Sequence, residues 1–134
     1  MTFLLIALLG ISAQSTGFAG TWIAEHQGTV FARLEIRNVQ GTLQGAFGIG
    51  NITVDKQGNV DKASQVPTPL TNLARISATQ NEVRFFLDDG DEFGLRVLDA
   101  GRAELIFYPS KELIEEIKAE GIPMPAPIVL RRER

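Results

Sequence analysis

The chain has no cysteine, one histidine and one tryptophan among its 134 residues. Without cysteine there is no disulfide framework, no thiolate metal site and no thiol nucleophile. His26 stands alone, with no carboxylate or nucleophile at a recognisable catalytic spacing, which reads as a turn or surface residue. Basic charge is not in excess: 13 Lys and Arg against 16 Asp and Glu give a formal charge of −3. That balance leaves no electrostatic footprint for nucleic acid or for an anionic membrane surface. No phosphate-cradling glycine loop, internal repeat or low-complexity segment occurs. The expectation is a protein that is not an enzyme and carries no cofactor. What is present is a chain that is 44% hydrophobic, globular in composition and of a length suited to one core.

Charge is also missing locally. No Asp, Glu, Lys or Arg precedes Glu25, and Phe3 to Ile11 reads FLLIALLGI. A membrane span needs about 20 apolar residues, so this run is too short to cross and has the length of a secretory h-region instead. Ser12-Ala13-Gln14-Ser15 follows, with small residues that suit cleavage after Ala13 or after Ser15. The n-region lacks Lys and Arg and relies on the α-amino group. Residues 1–15 are expected to be a signal peptide and 16–134 a single domain, secreted or periplasmic, with no membrane span in the mature chain.

The domain alternates. Val30, Ala32, Leu34 and Ile36 oppose Arg33, Glu35 and Arg37; Ala74, Ile76 and Ala78 oppose Arg75, Ser77 and Thr79. Val83, Phe85 and Leu87, then Phe93, Leu95 and Val97, then Ala103, Leu105 and Phe107 repeat the pattern. Period two over such runs predicts half-buried strands, and Gln40-Gly41, Lys56-Gln57-Gly58-Asn59, Asp88-Asp89-Gly90-Asp91 and Ala100-Gly101 supply the turns. Eight strands are expected, near 18–25, 29–38, 42–48, 51–56, 70–79, 82–88, 92–98 and 102–108, with 57–69 as the longest loop. Eight is a number at which an antiparallel meander can close and lose its edges. The fold class predicted is all-β with one C-terminal helix, an antiparallel eight-stranded up-and-down barrel.

Ser110 can cap a helix over 110–120, with Glu112 near its positive end and Gly121 ending it. Leu113, Ile114 and Ile117 form one stripe, expected to pack on the barrel's outside. Pro123, Pro125 and Pro127 then open a final strand or strap over 124–132. Prolines two apart withhold their ladder bonds from one side, which argues against a central strand. Arg131-Arg132-Glu133-Arg134 reads as a solvated tail, too short for a nucleic-acid patch.

Gly20-Thr21-Trp22 on the first strand, the meander, the following helix and a late arginine, Arg131 or Arg132, resemble the lipocalin-type (calycin) barrels. The resemblance implies that Trp22 closes the barrel floor and that the arginine, assigned to Arg131, packs across its indole. Gly20-Thr21-Trp22, Gly28-Thr29 and Gly41-Thr42-Leu43-Gln44-Gly45-Ala46-Phe47 are also similar to the opening of avidin-type barrels. Thr29 and Phe47 stand where that family places a biotin-binding Ser and Tyr, and the tryptophan cage is missing, so that similarity implies a shared fold without biotin binding.

The predicted interior face carries no charged or amide side chain. Such a face suits either a packed core or a cavity for one apolar molecule. The candidate ligand-binding residues are Ala32, Leu34, Phe47, Ile76, Phe85, Phe93, Leu95 and Phe107, with Gly20, Trp22 and Arg131 as the structural motif. Asp88, Asp89, Asp91 and Glu92 read as the acidic tip of a hairpin more economically than as a calcium loop. Asn51-Ile52-Thr53 is a glycosylation sequon, meaningful in a eukaryotic secretory pathway. The expected function is binding of a small hydrophobic ligand. The alternative is a filled barrel that binds a protein partner, for example as a protease inhibitor, through the 57–69 loop or the mature N-terminus.

Overall fold

The computed structural model describes residues 17–133; the segment read as a signal peptide lies outside them. Its strands are β1 (Gly20–His26), β2 (Thr29–Val39), β3 (Thr42–Ile49), β4 (Ile52–Val54), β5 (Val60–Ala63), β6 (Thr71–Asn72), β7 (Arg75–Ala78), β8 (Glu82–Phe86), β9 (Glu92–Val97), β10 (Arg102–Tyr108) and β11 (Ile128–Arg132), with helix α1 (Lys111–Glu120) before β11. Among the described residues no helix is long and apolar enough to cross a membrane. The first two hairpins close through Gln27-Gly28 and Gln40-Gly41, in which both residues have positive φ. That is the turn geometry whose twist matches paired antiparallel strands, and it explains why glycine follows glutamine at each.

Nine strands form one curled antiparallel sheet in the order β6-β3-β2-β1-β11-β10-β9-β8-β7, while β4 and β5 pair with each other alone. The two edge strands are consecutive in the chain. Between them, Leu73 N–H donates to Gly45 O on β3 and Ala74 N–H donates to Phe86 O on β8, at 2.9 Å each. One segment, 71–78, thus hydrogen-bonds to both rims of the sheet.

Several expectations change here. The fourth predicted strand, 51–56, is not a member of the main sheet: it is a three-residue strand paired with Val60–Ala63, which also cuts the predicted 57–69 loop down to 64–70. The strand expected at 70–79 is split in two. The final strand is 128–132 and occupies the middle of the sheet, between β1 and β10. The prolines stop short of it, so every one of its residues keeps an N–H for the ladder. The supposed tail is structural: Glu133 N–H continues the ladder to Thr21 O at 2.7 Å, and its carboxylate takes two bonds from Arg33 at 2.8 and 3.1 Å.

The core is apolar, with Trp22, Ala32, Leu34, Ile36, Phe47, Val83, Phe85, Leu95, Ala103, Leu105 and Leu130 buried and no buried polar side chain among the described residues. Alternation places all of these except where register breaks. A bulge pairs Ala24 with Ala32 but Glu25 with Val30, leaving Phe31 as the extra residue. Phe31 is therefore buried beside Ala32, and Val30 is only half-buried. Ala74, expected inside, is exposed at the point where the segment changes partner. The helix has its predicted bounds: Ser110 Oγ accepts from Leu113 N–H at 3.2 Å, and Gly121 ends it with φ 68°. None of its residues is buried, so the stripe of Leu113, Ile114 and Ile117 is half-exposed and not packed away as expected.

Candidate functional site

The two ends of the curled sheet differ. At one end β1 begins, β11 stops and β9 turns into β10; at the other lie the β1–β2 and β8–β9 turns and the start of β11.

The first end is sealed. Trp22 is fully buried and its Nε1–H donates to Phe18 O at 3.0 Å, bringing Phe18 into the core. The guanidinium lying over the indole, 4.2 Å from its centroid, belongs to Arg132. Its Nε donates to Ala100 O at 2.8 Å, Nη2 to Gly17 O at 3.0 Å and Nη1 to Ala19 O. Arg131, the residue assigned this role from sequence, points to the other face and pairs with Glu25. Its register explains the exchange: Trp22 faces Arg132 across the β1–β11 ladder and Ile23 faces Arg131. Gly20 completes the group, because at φ 138° a Cβ there would sit 2.5 Å from Arg132 Nη1, a guanidinium already fixed by three carbonyls. Glycine, tryptophan and arginine are mutually dependent at this end.

The second end holds an apolar cavity of about 210 Å3 lined by Ile49, Ile52, Asp91, Phe93, Leu105, Phe107, Pro125, Ala126 and Ile128. Strands β3, β9, β10 and β11 supply the floor, and the proline segment before β11 supplies a side wall. That wall is tied down by Ala126 N–H donating to Gly58 O at 2.8 Å, in the turn between β4 and β5. Gly58 has φ 85°, and a Cβ there would strike the backbone at Met124 and Ala126, so the close approach requires glycine. Asp91 is the one charged residue of the lining. Burial against the apolar wall raises its carboxyl above the ordinary aspartate range, and the neighbouring charge of Asp89 adds to the rise.

Of the eight predicted ligand residues, Phe93 and Phe107 reach this cavity. Ala32, Leu34, Phe47, Phe85 and Leu95 are packed in the core below it, and Ile76 is half-buried in a separate cleft beside Leu43 and Arg75. The rings of Phe47, Phe85 and Phe93 meet with centroids 5.0 to 5.8 Å apart, and Phe107 joins Phe93 at 5.2 Å. The interior is therefore largely filled, and the open space is at its mouth. Sequence reasoning missed Ile49, Ile52, Asp91, Leu105, Pro125, Ala126 and Ile128 as one set. Leu105 is legible as an interior position from its alternation, but the proline wall is placed by a contact with Gly58 that no local pattern announces.

His26 Nε2 donates to Asp61 O at 3.1 Å, and among the described residues no group of three acidic or histidine side chains converges as a metal site would. Compared with protein-family models, with curated proteins and with solved structures, the chain matches none.

Proposed function

We propose that the protein is a secreted or periplasmic, lipocalin-like β-barrel that binds one small apolar molecule in the cavity at its open end. On this reading the nine-stranded sheet is an eight-stave barrel closed through residues 71–78, with β6 and β7 as two halves of one stave. The bonds from Leu73 to Gly45 and from Ala74 to Phe86 support closure. The stacking of Arg132 on Trp22 beside Gly20 supports the family resemblance. The observation that carries the function is the apolar cavity itself, open at one end and sealed from the other by the packed phenylalanines. Its size, about 210 Å3, falls below the roughly 300–1,000 Å3 usual for drug-sized ligands. A cavity of about 150 Å3 lined by Leu, Ile and Phe is enough for a benzene-sized molecule. The ligand is accordingly a single ring or a short alkyl chain, held mainly by the area it removes from water.

Amide-shift NMR titration with 4-phenylbutanol tests this. Shifts are expected at Phe93, Leu105, Phe107 and Ala126, and Ala126→Leu, which fills the cavity from its side wall, should abolish them. No saturable shift in the wild-type chain would refute ligand binding at this site. The second reading, a filled barrel acting as a protein-interaction module such as a protease inhibitor, is favoured by the ring packing of Phe47, Phe85 and Phe93. Its surface would be the exposed 64–70 loop, and inhibition of a protease panel by a chain that binds no apolar probe would establish it.

A further inference from the structure

The lining of the cavity carries one charged side chain, Asp91. The β8–β9 turn places it there with Asp89 as its neighbour, and is folded by Asp89 Oδ1 accepting from Asp91 N–H at 2.9 Å and by Leu87 N–H donating to Asp91 O at 3.0 Å. No lysine or arginine lines the cavity. The ion pairs among the described residues belong to Arg33, Arg84, Arg96, Arg102 and Arg131, and none of them includes Asp91. Across the proline wall, the adjoining cleft carries a second carboxylate, Glu25, already neutralised by Arg131. The cavity thus offers an apolar body and, in its lining, the Asp91 carboxylate, which joins no ion pair among the described residues.

We propose that the cavity selects a small apolar cation, an aryl- or alkyl-ammonium whose hydrophobic body packs on Phe93, Leu105 and Phe107 and whose ammonium pairs with Asp91. The proposal rests on the reading of this cavity as a ligand site. A carboxylate ligand of the same shape would bring like charge beside Asp91 and Asp89, which is repulsive at the distances a shared rim imposes. A cation gains the Asp91 pair instead. The cost that burial imposes on the Asp91 carboxylate is relieved when a cation arrives.

Three probes of one shape decide the matter: 4-phenylbutylammonium, 4-phenylbutanol and 4-phenylbutyrate, titrated separately by NMR into the full chain at neutral pH and low salt. The ammonium is expected to bind about fivefold or more tighter than the alcohol, the scale of one partly desolvated ion pair, and the butyrate more weakly than either. In Asp91→Asn the ratios of ammonium to alcohol affinity and of alcohol to butyrate affinity should both fall toward one. The hydrogen bonds that fold the turn use the backbone N–H and C=O of Asp91, which the variant retains, and its melting curve checks that it folds. Equal affinities for all three, a preference for the butyrate, or a preference for the ammonium that survives Asp91→Asn would overturn the selectivity and leave the binding site standing. Binding of none of them would overturn both.

Discussion

At the scale of single residues, Trp22 answers three separate requirements. It fills the sealed end of the core, its indole N–H satisfies Phe18 O, and its π-face receives Arg132. These contributions can be told apart. Trp22→Ala loses all three and should destabilise the fold by about 3–5 kcal/mol, as large-to-small core changes of this size do. Trp22→Phe keeps a ring under Arg132 and should cost less, about half of that, through the lost hydrogen bond and the smaller volume. Urea unfolding of both variants checks the order; equal losses would mean that the indole serves only as volume. Trp22 and Gly20 were legible from sequence because a short motif names them. The choice of Arg132 over Arg131 was not, because it depends on whether β11 meets β1 with one parity or the other, and register between strands more than a hundred residues apart leaves no local mark.

Among the elements, those defined by near neighbours were read well and those defined by distant partners were not. Helix α1 has its cap at Ser110 and its stop at Gly121, both set by residues a few positions away. The alternating strands β2, β8, β9 and β10 likewise follow from period two. The β4–β5 pair, the split of 71–78 and the bulge that buries Phe31 arise from tertiary pairing, which overrides strand propensity. The helix shows the opposite imbalance: its local signals are strong, yet none of its residues is buried. A helix of this length without tertiary support is marginal in water. Backbone amides of 114–120 are therefore expected to exchange with deuterium through local opening, well before those of Trp22, Ile23 and Leu34, whose exchange should follow global unfolding. Protection of the helix equal to that of β1 would show that something covers Leu113, Ile114 and Ile117 in solution.

For the molecule as a whole, the clamp between Arg33 and Glu133 spans three strands, from β2 across β1 to the end of β11. Hydrogen bonds from Arg33 hold the Glu133 carboxyl below the ordinary glutamate range, with the charges of Arg33 and Arg131 acting in the same direction. Asp99 is lowered too, first by Gly101 N–H and then by Arg102. A carboxyl lowered in the folded state contributes stability that is present above its unfolded pKa and is lost as pH falls through the folded value. The melting temperature should accordingly be level at neutral pH and decline below about pH 4, where ordinary carboxylates begin to protonate. Glu133→Gln should flatten part of that decline, and less so at high salt, since the pair is solvent-accessible and screened. A decline unchanged by the substitution would remove Glu133 as a contributor. The position of β11 carries the last consequence. In the middle of the sheet β11 pairs with β1, Trp22 against Arg132, so a chain leaving the ribosome has nothing to place between β1 and β10 until residues 128–132 emerge. Until then both strands present unpaired edges, the form in which β-proteins aggregate. A chain ending at Pro127 should therefore sediment as aggregate rather than fold with slightly lower stability. Strand β11 acts as a keystone: β1 and β10 stay unjoined until residues 128–132 pair with both.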